Sequence, residues 1–579
     1  MRSSLATLLL PSLLLAQQAP DPYRYVPENA FAVLRMQGGK QLQGSFSGTS
    51  IGKVLAEPAV RAALLELWRA LPEQFELEPA ALRRFDAVID AAAEFEGELV
   101  VAVTTPTPVA KTPGRPREYD VTASLQLIGS AEQRSALDRA LRELMTEEGT
   151  ELRVEGESIR MHGSGRTRWS EPLQRDGSTL LLLSTEPESG IASCLTPRTG
   201  GFVGEQSLSG AALGLQIDLG AFIERMLAAE ADDDDPTTQR MHMLARMCGI
   251  SSLNRFVYTV RADGKWLAQD MGITFRDGDL GLLGALLPGR TDPSRLLALL
   301  PPDTANWSTW RFDPERMHRF WIEATTRFAD QLPMSREELE AAFTKATKLR
   351  LHEDLLALLG DEWLRIDAIE DAMVVDDEEG DERLDKIDQR FGASVFVVGL
   401  RDGATMATNV EKMVRARGLH AARKTEQYGD TKIHRLTLLG SLPIEYAFAG
   451  DTVVLGIGQG EDTQRNLRSV LDAAARHAKE PRAAEPPPAL AARMVGWPAG
   501  AGAFDSASML EVLDGLNSLG AAMAGELAAA DVEMADMGIM HQLLQLSAAL
   551  RPAIGKHGGD LTVTAWWFDA DRITSRSRW

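Results

Sequence analysis

Cysteine is nearly absent from this chain: Cys194 and Cys248 are the only two in 579 residues. So small a number excludes a disulfide-dense scaffold. The nine histidines are scattered, and neither H-E-x-x-H nor C-x-x-C occurs, so no zinc signature is present. Dense Lys/Arg blocks are missing as well. With 61 basic against 83 acidic side chains the net charge is −22, which repels phosphate backbones and anionic lipid and excludes nucleic acid as the expected partner. Beyond the first 19 residues no uninterrupted apolar run is long enough to cross a bilayer, so no transmembrane segment is expected in the mature chain.

What is present begins with a targeting signal. Arg2 supplies a short positive region, and Leu5 to Ala16 is an apolar stretch of secretory length. Cleavage after Ala16 or Ala19 makes residues 1–19 a signal peptide and sends the protein to the periplasm or the exterior. In that setting Cys194 and Cys248 either pair, closing a loop of 53 intervening residues, or stay as two buried thiols. A bridge would add ~4 kcal/mol by loop entropy.

A chain this long needs roughly three to four domains by length alone. Its composition, 44% hydrophobic and 25% charged, is that of a folded globular protein. Val26 to Arg35 reads as a turn and strand, Gln41 to Gly48 as a polar stretch, and Thr49-Ser50 as a helix start with a break at Pro58. A strand at Gly97 to Val103 precedes a proline-rich loop, Thr104 to Pro116. Strand, helix, hairpin around Gly156, strand and helix follow, from Val121 to Pro187 onward. Leu213 to Leu219 is a strand entering a helix at Phe222, and Phe256 to Phe275 folds back across Asp263-Gly264.

The series then recurs. Leu300 to Thr304 echoes Pro27-Glu28-Asn29, and Leu359-Gly360-Asp361-Glu362-Trp363 echoes Phe95-Glu96-Gly97-Glu98. Val395 to Val398 matches Val121 to Ile128, Val453 to Leu455 matches Leu180 to Leu183, Phe504-Asp505 matches Ile217-Asp218, and Leu561 to Phe568 matches the Phe256 hairpin. Offsets of roughly 260 to 300 residues are domain-sized rather than those of a short repeat. The expected fold is therefore α+β: two homologous tandem halves, 22–290 and 291–579, with mostly antiparallel or mixed sheets and packed helices. The proline-rich stretch at Glu480 to Ala489 reads as an exposed connection inside the second half.

Each chemical candidate has a plainer structural reading. Gly456-Ile457-Gly458-Gln459-Gly460 lies between a strand and a helix, as a dinucleotide fingerprint would, but its spacing is G-x-G-x-G and Glu461-Asp462 would repel phosphate. Gly48-Thr49-Ser50-Ile51-Gly52 fits a serine elbow, and Ser50 with Lys53 fits S-x-x-K, yet the residues before it are polar; Ser50 also suits a helix start. Met241-His242-Met243 with Met247 and Cys248 has soft-ligand chemistry or is core packing. The acidic runs Asp232 to Asp235 and Asp376 to Glu382 lack EF-hand spacing. Met509 to Leu550, rich in Ala, Met and Leu with Met523, Met534, Met537 and Met540, reads as helices that either pack on the sheet or line an apolar groove.

The P-x-[DN]-[TA] lead-in, the stretch Ser50 to Pro58 and the stretch Asp354 to Gly360 resemble a group of exported bacterial proteins known only as a domain of unknown function. The resemblance implies a secreted or periplasmic α+β repeat protein and brings no catalytic residues. The expectation is a non-enzymatic binding or structural role, without assigned catalytic, cofactor or metal residues and without a cofactor. Two alternatives stand beside it: a carrier holding a lipophilic ligand in an apolar groove between helices and sheet, and a serine-type hydrolase using Ser50 and Lys53.

Overall fold

The computed structural model describes residues 21–578 except 74–78, 110–118, 145–148, 155, 164–166, 186–188, 199–207, 232–235, 277–279, 287–293, 302–303, 305, 328–334, 368–393, 439–441, 459–460, 481–499, 506–538, 558–560 and 570–571. The chain is α+β, and it divides into two compact units. The first comprises Met1–Lys53, Leu65–Gln239 and Leu253–Thr274, the second Val54–Leu64, Arg240–Ser252 and Phe275–Trp579.

In the first unit the strands are β1 (Ala30–Gln37), β2 (Glu98–Thr104), β3 (Thr122–Ile128), β4 (Thr150–Val154), β5 (Glu157–His162), β6 (Arg168–Ser170), β7 (Leu173–Arg175), β8 (Ser178–Ser184), β9 (Leu213–Ile217), β10 (Leu253–Asp263) and β11 (Trp266–Phe275). β2, β3 and β8, at the centre, are short and mostly apolar, and Gly129 follows β3. Antiparallel pairings run in the order β10–β9–β1–β2–β3–β8, after which β8 meets both β6 and β7, then β5 and β4. The helices of this part of the chain are α1 (Gly39–Phe46), α2 (Ser50–Ala56), α3 (Pro58–Glu73), α4 (Pro79–Glu94), α5 (Ala131–Leu144), α6 (Ser189–Leu195), α7 (Leu219–Ala231) and α8 (Pro236–Met247), of which Val54–Leu64 and the residues of α8 from Arg240 onward belong to the second unit. Three of them open on proline, whose missing N–H costs nothing at a first helical position.

Because side chains alternate along a strand, this sheet offers two faces. On one, Val100 and Ala102 of β2 pack with Ile128, Val33 and Leu208, while Leu180 and Leu182 of β8 pack with Ile191 and Cys194 of α6. On the other, Leu99 and Leu127 are covered by Leu137 and Leu141 of α5, with Val88, Ala91 and Ala92 of α4 against the same cluster.

The second unit uses β12 (Trp307–Arg311), β13 (Leu359–Asp367), β14 (Ser394–Leu400), β15 (Lys424–Tyr428), β16 (Thr431–Leu438), β17 (Leu442–Ala449), β18 (Thr452–Ile457), β19 (Gly500–Asp505), β20 (Leu561–Asp569) and β21 (Arg572–Arg578). Their antiparallel order is β21–β20–β19–β12–β13–β14–β18–β17–β16–β15. Among its helices are α9 (Pro314–Arg327), α10 (Arg336–Thr347), α11 (Gly403–Ala416), α12 (Glu461–Lys479) and α13 (Ile539–His557). Leu467, Val470 and Leu471 of α12 cover one face of the sheet over Leu364, Ile366, Val395, Val397 and Val454. Val54 and Val60 also belong here, packed on Ala553 of α13, and Glu57 accepts hydrogen bonds from Lys556 at 2.8 Å and His557 at 2.5 Å.

The two orders of pairing run alike, except that β6 and β7 together stand where the second unit has the single strand β17. Gly97 and Gly360 occupy matching places at the start of β2 and β13: a Cβ on Gly97 would lie 2.0 Å from the Ile128 carbonyl oxygen, and one on Gly360 would lie 2.7 Å from that of Gly399. An arginine near the end of each opening strand pairs with an acid on the next. Arg35 reaches Glu98 at 2.7 Å, and Arg311, its side chain 0% exposed, reaches Asp361 at 3.2 Å and Glu362 at 3.1 Å. The registers differ: Arg311 stands directly opposite Glu362, whereas Arg35 stands opposite Val100 and reaches diagonally.

Two expectations change. The polar stretch Gln41 to Gly48 is mostly helix α1; Gly39 lets it lie on α4, where a Cβ would come within 2.5 Å of Ala93 Cα. Its polar composition hid the helical period, because close backbone contact rather than an apolar stripe seats it. The two cysteines form no disulfide; Cys194 is buried and Cys248 half-buried. No described helix is long and apolar enough to cross a membrane.

Replacing Arg311 by Met should cost about 3–5 kcal/mol, since it leaves the buried Glu362 carboxylate with the exposed Arg295 as its remaining cation. The same change at the more exposed Arg35 should cost less, and urea denaturation compares them. Glu411 on α11 gives a pH test: hydrogen bonds from Arg423 and then Arg415 hold its carboxyl down at about 2. A lowered carboxyl pKa stabilises the fold above the unfolded value near ~4 and loses that contribution as pH falls through about 2. Glu411→Gln should therefore flatten the acid limb of the stability profile between those values.

Candidate functional site

The face of the first sheet that carries α4 and α5 is only partly covered. Beyond Leu99 and Leu127 it continues through Val101 of β2, Ala123 and Leu125 of β3, and Leu181 and Leu183 of β8, which stand side by side in register. Leu141 and Leu144, at the end of α5, overhang this stretch, and Trp169 of β6 sits opposite Leu183. Together they line an apolar groove of about 290 Å³, with Leu183 43% exposed. Exposed leucine beside a cavity walled by leucine is what a site for an apolar ligand requires.

The groove has a local cause. Leu180 pairs with Leu173 of β7, and Leu183 pairs with Trp169 of β6, so Glu171 and Pro172 fall opposite Leu181 and interrupt the strand. Pro172 has no N–H to give to a ladder, and the interruption is a bulge in which two residues face one. Instead of the ladder, Ser170 Oγ accepts the Leu182 N–H at 2.9 Å and the Glu171 N–H goes to the Arg160 carbonyl at 3.0 Å.

The corresponding face of the second sheet is closed. There β17 is unbroken over eight residues and sets Tyr446 opposite Leu455 and Phe448 opposite Val453. Both rings pack under α11 with Val410, Val414, Leu419 and Leu436, and Arg423 donates to the Tyr446 hydroxyl at 3.3 Å. Where the second unit has a ring, the first has a bulge.

The residues singled out in the sequence lie elsewhere. Ser50 opens α2, but the element before it is helix α1 rather than the strand of a nucleophile elbow. Thr49, fully buried, provides the cap by accepting the Gly52 N–H at 3.0 Å. Lys53 is exposed on that helix. Gly456 ends β18 against α12, where a Cβ would come within 3.1 Å of both Leu467 and Thr463, so close helix packing explains it. Gln459 and Gly460, the two acidic runs, the proline-rich connection and residues 509–538 of the Met-rich segment lie outside the described residues; the remainder of that segment forms part of α13. His242 and Met247 lie on α8, with Met247 buried, and the described residues contain no cluster of three His, Cys, Asp or Glu able to hold a metal.

A second cavity, about 500 Å³ and polar, lies in the second unit among Arg295, Asp313, Asp361, Arg401 and Asp451. Its acids serve the fold: Asp313 accepts the N–H groups of Glu315 and Arg316, Asp451 accepts that of Gly403, and Asp361 pairs with Arg311. A wall built of helix caps and a buried ion pair has its hydrogen bonds spent on structure.

No protein-family model matches the chain, and no curated protein does either. Among solved structures it is similar to crystal form III of TP0453, at 10% identity over 47% of this chain and 89% of that one, with a TM-score of 0.24. Crystal form IV of the same protein gives 11% identity over 44% and 81%, with a TM-score of 0.23.

If the groove is surplus to folding, its exposed wall tolerates change and its covered floor does not. Leu183→Ser should leave stability within about 0.5 kcal/mol. Leu127→Ala, at a fully buried position on the same face, should cost about 2–5 kcal/mol. Paired thermal melts would separate the two.

Proposed function

We propose that this chain is an exported, non-enzymatic binding protein whose two homologous halves, 22–290 and 291–579, share one α+β plan, and that the first half carries a lipophilic ligand in the groove beneath the end of α5. Arg2 with the apolar run Leu5 to Ala16 supports export, and the common strand order supports duplication. The observation that carries the ligand assignment is the uncovered strip Val101, Leu125, Leu181 and Leu183, open in the first sheet while its counterpart is filled by Tyr446 and Phe448. Each methylene buried there would contribute about 0.8 kcal/mol. That driving force needs no catalytic group, so binding rather than turnover is the role.

The test is titration of the mature full-length protein with N-phenyl-1-naphthylamine, a neutral lipophile that fluoresces in apolar surroundings. Saturable enhancement is expected, and Leu183→Asp should weaken it at least tenfold, because occupancy would then bury an unpaired carboxylate. Leu244→Asp, at an exposed leucine on α8, serves as the control and should bind as the parent does. Absence of saturable binding in the parent, or binding untouched by Leu183→Asp, would overturn the assignment.

A further inference from the structure

We infer that the occupant of the groove is a single-chain carboxylate, a fatty acid, with its head group held by Arg142; this rests on the groove being the binding site. The volume comes first. About 290 Å³ lies at the small end of ligand cavities, which run from ~300 to ~1,000 Å³. That suits one acyl chain and leaves no place for the second chain of a diacyl lipid.

Charge at the rim selects the head group. Arg142 lies on α5 beside Leu141 and two residues before Leu144, both of which wall the groove. Its guanidinium extends from the helix to the bulge, where it donates to the Pro172 carbonyl at 2.9 Å and stands 3.5 Å from the Glu171 carboxylate. Since Pro172 falls opposite Leu181, this arginine marks the edge of the apolar strip. The side chain is 48% exposed, and a guanidinium has five N–H donors, so most of them remain for an incoming carboxylate. Glu171 is meanwhile shared: Arg160 stands 3.7 Å and His162 Nε2 3.2 Å from its Oε1. One carboxylate thus serves two guanidiniums and an imidazole, and the cluster has cationic capacity to spare.

The flat guanidinium fork matches a carboxylate through two parallel hydrogen bonds, which an ammonium cannot reproduce. The chain's net charge of −22 does not oppose this, because ions screen distant surface charge over about 10 Å while Arg142 acts in contact. A monomeric fatty acid is therefore accepted where an anionic lipid surface is repelled. The acyl chain would run from Arg142 over Leu181 and Leu125 toward Val101.

Displacement of N-phenyl-1-naphthylamine by laurate and by methyl laurate tests the inference on the full-length protein. Laurate should compete roughly tenfold better than its ester, the scale of a hydrogen bond to a charged group. Arg142→Gln should abolish that preference while leaving the neutral dye bound as before, and Arg142→Lys should restore only part of it. Added salt should weaken laurate and spare the ester. If the dye binds but laurate and its ester compete equally, or if Arg142→Gln leaves the preference intact, the carboxylate assignment is overturned while the lipophilic site stands. If the dye itself fails to bind, the groove assignment falls first, and this inference with it.

Discussion

An antiparallel sheet built from apolar strands has two faces to keep from water, and one layer of helices rarely covers both completely. That constraint governs each unit of this protein. Alternation along β2, β3 and β8 divides their side chains between the two faces. One set packs with α6, β1 and the strands of the β4–β5 hairpin; the other packs with α4 and α5. In the second unit α12 and α11 take the same two roles. The hydrogen-bond ladder fixes which residue lies on which face, and a slip of one position would turn each set outward.

Given that plan, a small change in one strand alters what a whole face offers. The strand beside β18 is continuous and contributes Tyr446 and Phe448; the one beside β8 is broken at Glu171 and Pro172. The break interrupts the ladder and leaves Glu171 and Pro172 opposite Leu181. Its cost is limited, because Ser170 and Arg160 take up the N–H groups it leaves. The result is an apolar strip framed by residues held through other contacts.

Much of this plan was legible in the sequence. The apolar runs, the Gly156 turn and the repeated Gly-acid pairs at Gly97-Glu98 and Gly360-Asp361 all fall where the strands and close backbone approaches lie. Helix α1 was not legible, because backbone contact at Gly39 seats it. The groove was missed for a different reason. Leu180 to Leu183 reads as a strand buried on both faces, and nothing within those four residues reveals that Leu183 lacks cover. Its neighbour is decided by pairing with residues 169 to 173, and only Pro172, a residue unsuited to a central strand, hinted at a gap. The expectation of an apolar groove between helix and sheet was attached to the Met-rich segment, most of which lies outside the described residues, rather than to this sheet.

The proposed duplication would give such a gap a purpose. In a single-copy fold, opening one face exposes the protein to the loss of core stability that a missing ring brings, with nothing to compensate. The second unit holds its face with aromatic rings, and the first leaves a space. The open face is therefore best understood by subtraction: the volume that Tyr446 and Phe448 fill in one sheet is what a ligand would fill in the other. Arg423, which bonds the Tyr446 hydroxyl, and Arg142, which reaches over the bulge, then stand in comparable relation to their faces. One steadies a side chain of the protein itself, and the other, in the proposed complex, would steady a guest.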